Sequence, residues 1–326
     1  MTPNNAGSVS IIIATLNREK VLISTINSVL SLTPLPDEIW VIDQTVQHGP
    51  DVDLYLKSVQ ERGVRVIKLP KPGVCFARNL GAALSNADIL IYIDDDVILD
   101  KPEFVDKHKL NFLDPKIDAV QGQIFENGIE YFKPSNAMNE VSTCLGLSSG
   151  NTGNTGNTGN TGNTSTFVTA NVSIRRSTLL EIGGFDEGFS GRTYANEDGD
   201  LGLRLVMQGY RIVIDTAPSL IHLKAPGGGN RITGRDSFPE WTRSVTFFQF
   251  ALRHMTGWQR IMRITYVFRL IAFRKENFLR PWNLPTAMLH ALYALVVAIK
   301  RDRVGFHSSL INPGPDYLRQ KYQKQM

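Results

Sequence analysis

Over the first hundred residues, short apolar runs alternate with helical stretches, and this rhythm constrains the chain most. Val9–Ala14 reads as a buried strand. Asn17 is placed to cap a helix running to about Leu30, with Val21, Leu22, Ile26, Val29 and Leu30 at helical spacing and Pro34 and Pro36 beyond it. A second strand follows at Glu38–Ile42, closed by Asp43, and a third at Val64–Leu69, with a helix over Asp51–Arg62 between them. Ala77–Leu84 begins another helix, and Ile89–Ile93 is the fourth strand. Such a succession predicts a mainly parallel α/β sheet with helices on both faces. Ligands of such sheets bind at the carboxyl ends of the strands. Thr15, Asp43 and the run Asp94-Asp95-Asp96 are therefore expected along one edge.

That aspartate run is the sharpest chemical signal. Three like charges at the end of a buried strand repel one another and resist desolvation. A hard divalent cation such as Mg²⁺ or Mn²⁺, sharing its shell with phosphate and water, relieves that cost. A solvated acidic turn is the plainer alternative.

Asp43 can accept hydrogen bonds from a base or ribose, or can simply close a turn. Arg78, in Ala77-Arg78-Asn79-Leu80-Gly81 at a helix start, can pair with phosphate or stack on a base, or stand exposed. A third acidic group lies at 196–200, where Asn196 is placed to cap a helix with Glu197, Asp198 and Asp200 in its first turn. Glu197 and Asp198 are candidates for proton chemistry, since a helix start favours the ionised carboxylate that a general base needs. The plainer reading is capping plus an Asp200–Arg204 pair four residues apart.

Together these pieces resemble an inverting glycosyltransferase of family 2. The matching residues are Val9-Ser10-Ile11-Ile12-Ile13-Ala14-Thr15-Leu16-Asn17-Arg18, Val41-Ile42-Asp43, Ala77–Gly81, Asp94–Asp96, Gly183-Gly184-Phe185-Asp186-Glu187 and Asn196-Glu197-Asp198-Gly199-Asp200-Leu201, in family order over about residues 8–225. The resemblance implies the GT-A fold, with a Rossmann-like, mainly parallel central sheet and helices on both faces. It implies a nucleoside-diphosphate sugar as donor, held through Thr15, Asp43 and Arg78. It also implies a DxD-type cluster in which Asp96 binds Mg²⁺ or Mn²⁺ and Asp94 or Asp95 serves the ribose or the metal's water shell. By the same resemblance Asp198 is the catalytic base, with Glu197 beside it. His222, in Leu-Ile-His-Leu-Lys, approaches the metal or diphosphate, and Gly183–Phe185 shapes the acceptor side. Ala14 stands where many relatives carry proline, and Glu197-Asp198 lacks the tryptophan-glycine lead of some galactosyl-transferring branches.

Charge divides the chain. Residues 1–234 carry 20 Lys+Arg and 26 Asp+Glu, whereas residues 235–326 carry 15 and 5. The expected organisation is a GT-A domain over 1–234 and a helical, basic extension over 235–326. Within the first, residues 151–164 repeat Asn-Thr-Gly four times and end in Asn-Thr, with no apolar side chain. This low-complexity loop cannot bury a face. It reads as inert, with an acceptor-gating lid as the sharper alternative. From about Phe238 the pattern turns helical. Residues 241–280 interleave aromatics with arginines, as an interfacial surface on anionic lipid does. Thr286–Ile299 is apolar nearly all round, and at 14 residues it is shorter than the ~20 that span a bilayer. A buried core helix is the first expectation, a membrane-surface or re-entrant segment the second.

The distant pair Cys75 and Cys144 forms no metal-type spacing and fits a reducing compartment. With no basic and apolar leader at the N-terminus, the expected location is cytoplasmic, free or peripheral at the membrane's cytoplasmic face. Expected partners are the sugar nucleotide, a glycan or lipid-linked acceptor and an anionic membrane surface. Nucleic acid is not expected, for no binding module is recognisable. A haloacid-dehalogenase phosphatase would leave Glu197–Asp200 unexplained, and a nucleotidyltransferase lacks its glycine-rich loop here. A non-catalytic sugar-nucleotide-binding or membrane scaffold is opposed by the intact carboxylates.

Overall fold

The computed structural model describes residues 6–131, 161–164, 168–189, 195–229, 241–273, 277 and 279–325. Strands β1 (Val9–Thr15), β2 (Glu38–Asp43), β3 (Val64–Lys68) and β4 (Ile89–Ile93) alternate with helices α1 (Glu19–Leu30), α2 (Pro50–Glu61) and α3 (Val74–Leu84). The four strands are parallel, in the order β3-β2-β1-β4. Their β-branched residues are buried on both faces, as a sheet covered by helices requires. In register, Thr15 lies opposite Asp43 and Ile13 opposite Ile93. Thr15, Asp43 and the aspartates after β4 thus leave the sheet along one edge.

The chain continues through β5 (Val97–Ile98), α4 (Phe104–Asn111), β6 (Ala119–Glu126), β7 (Ile129–Glu130), β8 (Thr161–Thr164), β9 (Asn171–Arg175), α5 (Arg176–Glu181), α6 (Glu197–Met207) and β10 (Ile212–His222). Here the sheet is mixed. β9 runs antiparallel between β4 and β6, and β10 is parallel to β6 but antiparallel to β5 and β8. A register slip in β10 between Ile214 and Ser219 bends the strand. Its end then pairs His222 with Val97, directly after the three aspartates.

Several expectations change. The tail of the Asn-Thr-Gly tract, Thr161–Thr164, is a strand and not a loop, because it satisfies the otherwise open edge of β10 through main-chain bonds that need no apolar side chain; residues 151–160 lie outside the described residues. Neither Asn17 nor Asn196 caps a helix with its side chain. Both instead take the left-handed conformation, at φ 55° and 68°, which asparagine tolerates better than most residues.

Behind this sheet lie α7 (Trp241–His254), α8 (Gly257–Ala272), α9 (Leu284–Val304) and α10 (Pro315–Tyr322). α9 is longer than the apolar run suggested, and it is not a core helix: Ala291, Ala294 and Ala298 are buried and Leu295 and Val297 half-buried, but Leu289, Leu292, Tyr293 and Val296 are exposed. The last helix returns to the front of the molecule. Arg319 donates to the carbonyls of Ala83 and Ser85, and Leu318 and Tyr322 share a core cluster with Trp40 and Leu84. The regions expected at 1–234 and 235–326 therefore have hydrophobic core in common.

Candidate active site

The end of β4 turns three carboxylates to different tasks. Asp95 points inward: its Oδ2 accepts from Thr15 Oγ1 at 2.6 Å and its Oδ1 from Arg18 at 2.8 Å. Burial pushes its carboxyl up to about 6, against the pull of Arg18 and Thr15. Thr25 fixes the turn from below by donating to the carbonyls of Asp95 and Val97. Asp96 is fully buried. Its Oδ2 accepts from the Ala225 N–H at 2.9 Å, while Arg18 Nη1 and His222 Nε2 stand 2.9 and 3.2 Å from its Oδ1. Burial opposes its charge, but His222 and Arg18 hold the carboxyl below its ordinary value. Asp94 is half-buried, 3.8 Å from His222 Nε2.

One oxygen each from Asp94 and Asp96 and one nitrogen of His222 lie within 4.8 Å of one another. Two observations make this set fit a divalent cation. Asp96 Oδ1 is a buried oxygen with no hydrogen bond of good geometry. The other ring nitrogen of His222, Nδ1, faces Glu126 Oε1 at 3.0 Å. If Nδ1 carries the proton, it donates to Glu126, and the neutral ring then presents the lone pair of Nε2 to the cluster. Lys224 in turn pairs with Glu126. Burial would lower the imidazole pKa, but Asp96, Asp94 and Glu126 together raise it. Carboxylate oxygen and imidazole are donors that Mn²⁺ accepts.

Arg78 joins this cluster to the acidic helix. Its Nη2 lies 3.8 Å from Asp94 Oδ1 and its Nη1 3.2 Å from Glu197 Oε1, with the guanidinium 5.4 Å above the Phe185 ring. Glu197 is buried, and burial together with the neighbouring Asp198 charge raises its pKa. Asp198 is partly exposed at the start of α6 and accepts from the Gly199 N–H at 3.0 Å; burial raises its pKa too. Asp200 serves a structural end. Its two oxygens take Arg204 at 2.8 Å and His254 at 2.7 Å, tying α6 to α7. The Asp200–Arg204 pair expected from spacing is thus present.

Asp43 lies at the far end of the edge. His48 and Lys68 each approach its Oδ2 at 2.8 Å, and the Thr45 N–H its Oδ1 at 2.9 Å. Burial works against its charge, yet Lys68, Thr45 and His48 keep its pKa low. Gly183 and Gly184, at φ 81° and 74°, form a packing junction with the C-terminal segment. A Cβ on Gly184 would stand 2.5 Å from Asn79 Oδ1 and Leu310 Cδ1.

Sequence reasoning gave no role to Arg18 or Glu126. Arg18 was legible in principle: it lies three residues past β1, beside the strand that carries the aspartates. The loop after β10 closes over it, with Arg18 Nε donating to the Gly227 carbonyl and Gly228 too near Asn17 to tolerate a side chain. Glu126 reaches the site only through the β6–β10 pairing, which no local pattern announces.

Comparison with known proteins supplies the context. Residues 10–183 match the family model described as Glycosyl transferase family 2. Validoxylamine A glucosyltransferase of Streptomyces hygroscopicus subsp. limoneus is 25% identical over 228 residues, covering 63% of this chain and 49% of that protein. The O-antigen biosynthesis protein RfbC of Myxococcus xanthus is 25% identical over 227 residues, 66% of this chain and 17% of its own length. The chain therefore spans half or less of these curated relatives. Among solved structures, mannosyltransferase PcManGT from Pyrobaculum calidifontis, in complex with GDP-Man and Mn²⁺, superposes with a TM-score of 0.54 at 15% identity over 99% of this chain and 85% of that one. GalNAc-T7 with UDP, GalNAc and Mn²⁺ gives 0.57 at 14% identity over 88% and 57%. At such identities the likeness establishes the GT-A fold.

Proposed function

Because the chain belongs to glycosyl transferase family 2, we propose that it moves a sugar from a nucleoside-diphosphate sugar to an acceptor hydroxyl, with inversion at the anomeric carbon. The observation that carries this reading is Arg78, which spans from Asp94 of the cation cluster to Glu197 of the acidic helix. Groups remote in sequence thereby meet at one edge of the sheet. A non-catalytic scaffold has no use for such an arrangement of buried carboxylates.

Asp94, Asp96 and His222 are the residues that would hold a divalent ion, which when bound would supply Lewis-acid charge to the departing diphosphate. The chain's own groups do the rest. Arg78 offsets negative charge that develops on the leaving group, from a position already fixed by Glu197. Asp198, partly exposed beside it, takes the proton of the acceptor hydroxyl as that oxygen attacks from the face opposite the diphosphate. Glu197 is a positioning residue for Arg78, while burial keeps the Asp198 pKa raised against the pull of Arg78. Asp43 and Thr15 rim the nucleotide end, where Lys68 and His48 orient Asp43. Asp95 acts through Arg18 and Thr15.

The nucleotides and Mn²⁺ in the two solved structures support a nucleoside-diphosphate donor with a metal. The curated relatives are named as a glucosyltransferase and an O-antigen biosynthesis protein, which supports sugar transfer; the acceptor in this reading is a glycan or a lipid-linked saccharide. A panel of UDP- and GDP-sugars with Mn²⁺ or Mg²⁺ tests the reading through release of the nucleoside diphosphate. The expected result is turnover with at least one donor that chelator abolishes; turnover unaffected by excess chelator contradicts the metal assignment.

A further inference from the structure

Helix α9 has the burial of an ordinary surface helix reversed. Ala291, Ala294 and Ala298 are buried against Val245 and Phe248 of α7 and Val267 and Ile271 of α8. Leu295 and Val297 pack partly on the same cluster, but a stripe of large side chains points outward: Leu289 is 65% exposed, and Leu292, Tyr293 and Val296 continue it at helical spacing. α8 does the same on its outer face with Trp258 at 71%, Ile261, Met262, Tyr266 and Leu270. Trp282, between the two helices, is also 71% exposed. A helix in water places its apolar stripe against the core and its polar face outward, and a contiguous exposed apolar surface marks an interaction site.

Charge and composition select the occupant. Residues 257–304 hold nine Lys/Arg and two Asp/Glu. Trp258, Tyr266, Trp282 and Tyr293 are the amphipathic aromatics that settle at a membrane–water boundary. A second copy seated on this face would bring two basic rims together. We propose that the outer faces of α8 and α9 rest in the plane of an anionic lipid bilayer.

By length and composition α9 is able to cross a membrane, but its packing argues for lying along the surface. Its alanine stripe fastens it to α7. α7 is fixed to the sheet domain through His254 with Asp200 and Arg253 with Asp186. α8 carries Arg260, Arg263 and Arg269. A spanning α9 would draw these charges into hydrocarbon. The same α7 touches the start of α6, where Thr246 Oγ1 accepts from the Ala195 N–H at 3.2 Å. The lipid-facing surface thus stands in a fixed relation to Asp198, though the docking itself does not depend on the transferase reading.

Sedimentation of the whole chain with vesicles tests this. Phosphatidylcholine vesicles containing phosphatidylglycerol should carry the protein down at least ~tenfold more strongly than pure phosphatidylcholine vesicles. The double variant Leu289→Glu/Leu292→Glu should lose at least ~tenfold of that binding, while its melting curve and its release of nucleoside diphosphate from donor stay those of the parent. Failure of the parent to sediment, equal binding to both vesicle types, or undiminished binding of the variant overturns the proposal. So does light scattering that finds a lipid-free dimer which the same variant reduces to monomer, because a second copy then covers the face.

Discussion

The aspartate edge and the α8–α9 surface depart from the ordinary rules of burial in opposite directions. At the edge, charged groups are taken out of water: Asp96, Asp95, Glu197 and Arg78 are all buried. On the surface, large apolar groups are left in it. Each departure is only partly compensated within the chain. Arg18 and Arg78 neutralise part of the acidic edge, yet Asp96 Oδ1 has no well-directed donor. Alanines bury one side of α9 and leave Leu289 and Leu292 outside. Incomplete compensation of a charge calls for a small polar ligand, and incomplete burial of apolar area calls for an extended partner.

The sharpest way to break this contrast is to remove the proposed base. Asp198→Asn should cut transfer by about 10³-fold while nucleoside-diphosphate binding, followed by titration calorimetry with Mn²⁺, is preserved. Asp96→Ala should do the reverse first, weakening Mn²⁺-dependent nucleotide binding by more than ~100-fold. Where the chain after α9 packs back on α3, Gly184→Ala should cost about 2 kcal/mol, seen as an earlier denaturant midpoint, since φ 74°, Asn79 and Leu310 leave its Cβ no room. Glu126→Gln keeps the shape but loses the charge behind His222, and should weaken metal binding about tenfold with little change in stability. The smallest effect is on pH dependence. A base must be ionised, so the rate should fall as pH drops through the raised pKa of the Glu197–Asp198 pair. The acid limb should therefore lie above the ~4 of an ordinary carboxyl.

Much of the first region was legible because its signals are local. Runs such as Val9–Ala14 and Ile89–Ile93 are apolar, β-branched and of strand length, and a parallel order follows from the helices between them. Once that order is granted, the aspartates must share an edge with Thr15 and Asp43. The second half was harder. α4 has a weak apolar stripe, and β6 interrupts its apolar residues with Gln121, Gly122 and Gln123. The roles of Glu126 and Arg18 depend on which strands become neighbours, and the register slip of β10 that delivers His222 leaves no periodic trace. For α9, an apolar run shows that a helix is hydrophobic but not which side it buries. Only packing reveals that the alanines face inward.

Anomalous diffraction at the manganese edge, from crystals grown with Mn²⁺ and a nucleoside diphosphate, tests the central claim most directly. A single strong peak bonded to Asp96 and His222, beside Asp94 and with the diphosphate reaching toward Arg78, is the expected result. A manganese site away from these three residues, or a nucleotide bound with Asp198 on the other side of the molecule, contradicts it.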